Sequence, residues 1–207
     1  MKMLSIEQGK SLVNFAREII ESHFNEAKTK VKVKPSANLR DILSKKCGVF
    51  VTLHEFSTNQ LRGCIGYPEP VMPLIDAISD SAISAATKDP RFPCVKKDEL
   101  KNLIVELSVL TKPELIKVSD PSEYLKKIKV GRDGLIVEKG CYRGLLLPQV
   151  PVEWKWNVPE FLSQTCVKAR LPQGSWLDKS VKVYKFTGQV FTEVKPYGEV
   201  IEKKFSD

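Results

Sequence analysis

CGVFVTLHEFSTNQLRGCIG, residues 47–66, holds two runs of β-branched, aromatic and aliphatic residues around the turn-forming STNQ. The pattern predicts an antiparallel hairpin, with LRGCIG on or at the end of its second strand. NLIVELSVLT, residues 102–111, sets Leu103, Val105, Leu107 and Val109 against Ile104, Glu106, Ser108 and Leu110. Both faces are largely apolar, which predicts a central strand with Glu106 as its one anomaly. GRDGLIVEKGCYRGLLLPQV, residues 131–150, predicts strands over 134–139 and 144–147 joined by a glycine-bounded turn. VKVYKF and QVFTEV predict a last hairpin turning at Thr187 and Gly188.

Helices are spelled out between these strands. Ser5 and Gln8 form a capping-box pattern, followed by Leu12, Phe15, Ala16, Ile19 and Ile20 on one face to about Phe24. Leu74, Ile75, Ile78, Ala82 and Ala85 make a second stripe, whose small residues suit close packing, and DPRFPC at 89–94 stops it. Asp120 and Pro121 start a short helix through Tyr124 and Ile128. Asn157 and Glu160 start another, with Phe161, Leu162, Thr165, Cys166 and Ala169 facing inward. Residues 28–38, KTKVKVKPSAN, read either as a basic edge strand or as an extended linker. Strands and helices mix without regular βαβ alternation. The class is therefore α+β, a mixed or antiparallel sheet with packed helices, in two α+β lobes with a cleft between them.

The 207 residues are 42% hydrophobic and 28% charged, enough to bury a substantial core without staples. No stretch approaches the ~20 apolar residues of a membrane span, and the opening MKMLSIEQGK turns polar too early for a signal peptide, so the expected location is cytoplasmic. Five cysteines, an odd number at irregular spacing, and two histidines argue against a disulfide framework and against structural zinc. The Gly-Lys-Ser/Thr ending of a phosphate loop is missing from LRGCIG; no metal and no cofactor is expected. The net charge of +8 raises nucleic-acid binding as an alternative, but the basic residues are spread along the chain and match no recognised module.

The chemistry concentrates at residues 61–66. In an extended strand Arg62 and Cys64 share a face, and a guanidinium beside a thiol favours the thiolate. Gly63 and Gly66 would admit a ligand to the backbone, where consecutive amides can cradle an anion. Against this stands a packing role: a small buried thiol, glycines serving geometry, and Arg62 paired with a carboxylate. Glu106 is expected to pair with Arg62 or Arg91, since a carboxylate in a central strand is costly alone. His54 invites comparison with a thiol dyad, although an exposed strand-end histidine is commoner; His23 reads as structural. Arg132, Asp133 and Gly134 form a tight turn first and a polar contribution to a cleft second. Trp154 and Trp156 fall on one side of an extended segment, as core cover or as partner surface. Catalytic candidates are thus Cys64, Arg62 and Glu106. Candidate ligand-binding residues are Gly63, Gly66, Arg91, Arg132 and Asp133, and Arg62, Gly63, Cys64 and Gly66 are expected on the cleft floor.

LRGCIG at 61–66, DPRFP at 89–93, the run from Glu99 to Thr111, GRDGL at 131–135, GLLLPQV at 144–150 and TCVKA at 165–169 together resemble the AMMECR-type family. The family is named after a chromosomal region linked to Alport syndrome, intellectual disability, midface hypoplasia and elliptocytosis. The resemblance covers nearly the whole chain. It implies a single AMMECR-type domain over residues 1–207, of two subdomains, intracellular and without an assigned reaction. It further implies association with Memo-type proteins and radical S-adenosylmethionine enzymes, and hence an accessory or interaction role in a modification system; a thiol enzyme using Cys64 is the alternative. Arg170 stands where the pattern TCxKAGL has glycine, and Cys94 where a second proline usually follows RFP, which makes both poor candidates for a shared function.

Overall fold

The computed structural model describes residues 4–25 and 40–204; the basic segment at 28–38 lies outside the described residues. The chain divides into two compact units, one of residues 1–110 with 189–203, the other of residues 111–188 with 204–207. In chain order the elements are α1 (Ile6–Phe24), α2 (Arg40–Leu43), β1 (Gly48–Glu55), β2 (Leu61–Tyr67), α3 (Leu74–Thr87), β3 (Leu103–Leu110), β4 (Glu114–Leu115), α4 (Tyr124–Lys127), β5 (Asp133–Lys139), β6 (Tyr142–Leu146), α5 (Gln149–Glu153), α6 (Val158–Lys168), β7 (Lys182–Glu193) and β8 (Val200–Lys203). The class is α+β, and every strand register that is resolved is antiparallel.

In the first unit the strands run β2, β1, β3, then the end of β7, then β8. The predicted hairpin is β1 and β2, and β3 is central and buried along its whole length. Val49, Val51 and Leu53 point to one face of β1, where α3 covers the hairpin and α1 lies beside it over β3, so that they share a core with Leu12, Val13, Ala16, Leu74 and Ile78. Ser5 and Gln8 close the capping box that starts α1, each side chain bonding the other's backbone N–H. The alanines of α3 let that helix settle close to the sheet. A Cβ on Gly63 would lie 2.1 Å from the carbonyl oxygen of Ala85, so only glycine fits beneath α3. Buried Arg17 on α1 grips Glu193 of β7 through two donors and gives further hydrogen bonds to the carbonyls of Leu100 and Leu103. Glu193 also accepts from the Val105 amide at 2.9 Å. One ion pair therefore joins the two ends of the sequence inside this unit.

In the second unit β4, β7, β5 and β6 are hydrogen-bonded in that order. Phe161, Leu162 and Cys166 of α6 pack with Leu135, Val137 and Val183. Three sequence expectations fail here. Residues 182–193 form one strand rather than a hairpin, because neither Thr187 nor Gly188 has the positive φ of a tight turn and Thr187 instead pairs with Thr111. Of Arg132, Asp133 and Gly134, only Arg132 lies in the turn, its amide bonding the Lys129 carbonyl. Gly131, at φ 76°, makes it, while Asp133 and Gly134 open β5 and Gly134 leaves room for the ring of Phe186 opposite. Trp154 and Trp156 do not sit on an extended segment, because α5 and the left-handed Lys155 intervene; their rings stack 6.0 Å apart, Trp154 exposed and Trp156 half-buried against the core.

Candidate functional site

The side of the first unit's sheet opposite its helices carries the candidate chemistry. Alternation along β1 puts Val49, Val51 and Leu53 toward the helices and Phe50, Thr52 and His54 on the other face. Register then places Cys64 opposite Thr52 on one side and Glu106 opposite Thr52 on the other. The result is a row of thiol, hydroxyl and carboxylate across three strands. The Thr52 hydroxyl donates to the Cys64 sulfur at 3.3 Å. From β8 the Lys203 ammonium reaches Glu106 at 2.5 Å, and His54 Nε2 stands 3.9 Å from its other oxygen. His54 Nδ1 is buried and has no hydrogen-bond partner.

Glu106 is thus partnered by Lys203 and His54, not by Arg62 or Arg91 as expected. Burial pushes its carboxyl up, but the neighbouring His54 and Lys203 outweigh burial and hold it below the usual carboxylate range. Lys203, some hundred positions downstream of Glu106, left no signal in the sequence from which this pairing could be read.

Arg62 does not activate Cys64. The register between β1 and β2 slips at Leu53 and His54, so Arg62 sits at an irregularity that breaks the alternation linking it to Cys64. Its guanidinium is spent on Glu99, at 2.9 and 3.3 Å, and on the carbonyls of Pro93 and Cys94. Burial pushes the Cys64 thiol up, and the opposing Thr52 hydrogen bond and Arg91 charge do not reverse this. Burial therefore favours the protonated thiol, which accords with the packing alternative rather than with an activated thiolate.

The DPRFP segment explains the rest of the LRGCIG geometry. Buried Asp89 accepts from the Cys64 amide at 2.8 Å, from the Arg91 amide at 3.1 Å, and from the Arg91 guanidinium at 2.9 and 2.7 Å. Arg91, hydrogen bonding first, holds the Asp89 carboxyl well below the usual range. Gly63 and Gly66 are each required by close packing on the side where a side chain would stand. The space beside Gly63 is taken by Ala85 and that beside Gly66 by the β1 backbone at Val49 and Phe50. Arg91 is exposed beyond its bond to Asp89, whereas Arg132 and Asp133 pair with each other in the second unit. Asp89, Glu99, Thr52 and Lys203 are the participants that sequence reasoning missed. Thr52 alone was within reach, since the hairpin register sets it against Cys64.

Among the described residues no group of three or more His, Cys, Asp or Glu side chains is placed to hold a metal ion, and no helix is long and apolar enough to cross a membrane. The AMMECR1 family model matches residues 13–191. Protein MJ0810 of Methanocaldococcus jannaschii is 54% identical over 204 residues, covering 99% of each chain. Protein PH0010 of Pyrococcus horikoshii is 52% identical over 200 residues, 95% of each. The crystal structure of that uncharacterized Pyrococcus protein superposes with a TM-score of 0.83, covering 96% of this chain and 97% of its own. With a family model spanning most of its length and relatives above half identity, the chain belongs to the AMMECR1 family.

Proposed function

We propose that the protein is a cytoplasmic accessory component of a modification system, and that the face bearing Cys64, Thr52, His54, Glu106 and Lys203 engages a protein partner of Memo or radical S-adenosylmethionine type. The observation that carries this reading is the state of the thiol. Cys64 is half-buried, burial pushes its thiol up, and the guanidinium nearest in sequence is committed to Glu99. A surface with a neutral thiol and an ionised Glu106 neutralised by Lys203 suits recognition better than nucleophilic attack.

The test is the alkylation rate of Cys64 across pH, read by peptide mass spectrometry, with exposed Cys94 and Cys141 and buried Cys47 and Cys166 as references. Cys64 is expected to label more slowly than Cys94 and Cys141 at pH 7 and to accelerate only above the ordinary thiol range of about 8.5. Arg91→Ala should slow it further. In parallel, purified candidate partners are titrated against the protein, and Glu106→Gln and Lys203→Gln should weaken the complex. The second reading, an enzyme using the Cys64 thiol, is favoured by one observation, the collection of Thr52, Glu106 and His54 on the same face. Fast labelling at pH 7 would select it and retire the accessory role for this face.

A further inference from the structure

The second unit contains a cavity of about 310 Å³ that the Cys64 chemistry does not use. Its lining is divided by chemistry. Ile116, Tyr124, Trp176 and Val181 form an apolar part drawn from the buried core, and Lys117, Lys179 and Lys182 add three ammonium groups. None of these lysines forms an ion pair among the described residues. The lining carboxylate, Asp178, is already neutralised, since Lys139 bonds it at 2.8 Å and the Ser180 amide bonds it at 2.8 Å. Asp120 feels the charge of Lys179 but is occupied by the amide and hydroxyl of Ser122. Positive charge at this cavity is therefore in excess.

The aromatic lining points the same way. The Trp176 indole N–H is satisfied by Ser163 at 3.2 Å, which leaves the ring to serve as an apolar wall. The body of Tyr124 is buried, while its hydroxyl still reaches solvent and forms no hydrogen bond with another described residue, so the ring adds to the apolar wall and its polar tip is open to a guest. Small-ligand sites combine such apolar walls with a few polar groups, and the volume lies at the small end of their range of about 300–1,000 Å³.

The geometry points to a binding site for a small aromatic carboxylate, its ring against Tyr124 and Trp176 and its charge taken by Lys117, Lys179 and Lys182. An uncharged aromatic would leave the ammonium groups unanswered. A simple inorganic anion would leave the apolar wall uncovered.

The experiment titrates the full chain with benzoate, 4-hydroxyphenylacetate and indole-3-acetate, each beside its carboxamide, and follows amide and indole resonances by NMR. The expected result is saturable binding of at least one acid, with its carboxamide about tenfold weaker. The shifts should centre on the Trp176 indole and residues 115–124 and should weaken with added salt. Lys179→Gln with Lys182→Gln should reduce the acid to the affinity of its amide. Both side chains are exposed, so thermal unfolding should not change. Equal binding of acid and amide, shifts centred elsewhere, or no saturation by any acid up to about 10 mM would each overturn the assignment.

Discussion

Asp89 shows how much one side chain can organise. Its two oxygens serve the Cys64 amide and, three times over, Arg91, so its removal frees a strand amide and a guanidinium together. Asp89→Asn is expected to cost about 2 kcal/mol at pH 7, measured by chemical denaturation. The folded-state pKa is depressed, so the stabilisation is fully present above the unfolded value of about 3.9 and is lost as pH falls from there through the folded value. The gap between wild type and Asp89→Asn should accordingly narrow below about pH 4. Arg170 carries a different lesson. It occupies the left-handed position after α6, at φ 60°, where its amide bonds the Val167 carbonyl and the Leu171 amide bonds that of Cys166, the two bonds of a Schellman cap. The glycine expected by resemblance would suit that backbone without strain. Relief of about 1–2 kcal/mol is partly offset by the entropy that glycine loses on folding, so Arg170→Gly should raise stability by about 0.5–1 kcal/mol in a thermal melt.

Among elements, the contact of β2 with α3 depends on Gly63. A methyl there would fall 2.1 Å from a backbone oxygen, and neither strand nor helix has a flexible end to move aside. Gly63→Ala is therefore expected to cost at least about 3 kcal/mol and to lower soluble yield, with circular dichroism melts as the readout. The hairpin of β1 with β2, the central β3 and helices α1, α3 and α6 were legible because each carries its own periodicity, reinforced by a capping box in α1 and α6. The long β7 was not. Thr187 and Gly188 look like punctuation in sequence, and pairing of Thr187 with Thr111 and with Asp133 of β5, both distant along the chain, keeps the strand extended through them. Arg62 failed for a related reason, since an irregular register is fixed by what lies beside a strand and leaves no local mark. Of the candidate site, Cys64 and Glu106 could be picked out as anomalies of their own strands, whereas Asp89 and Lys203 become partners only once distant segments fold together.

At the scale of the molecule, two units are drawn from a chain that leaves the first at residue 110 and returns to it at residue 189. Arg17 and Glu193 lie 176 positions apart and are both buried, so the first unit needs the C-terminal segment before its most costly charge is answered. A chain ending at Gly188 should lose cooperative unfolding of residues 4–110 and become rapidly digestible there, whereas Glu193→Gln, which keeps the strand, should be milder. Limited proteolysis followed by mass spectrometry distinguishes the two.

The Asp89 contact with β2 has one more consequence, for behaviour in concentrated solution. Strand β2 ends the sheet order of its unit, and the outward amide of Cys64 is met by a carboxylate and its outward carbonyl by Arg91, where another strand would otherwise pair. A sheet edge with free amides and carbonyls is a template for chain-to-chain addition, and the side chains of Asp89 and Arg91 occupy part of that template. Protonating Asp89 in strong acid uncovers it. The protein should then self-associate through β2 before it unfolds as a whole, and the colloidal stability of its solutions would hinge on a single carboxyl group.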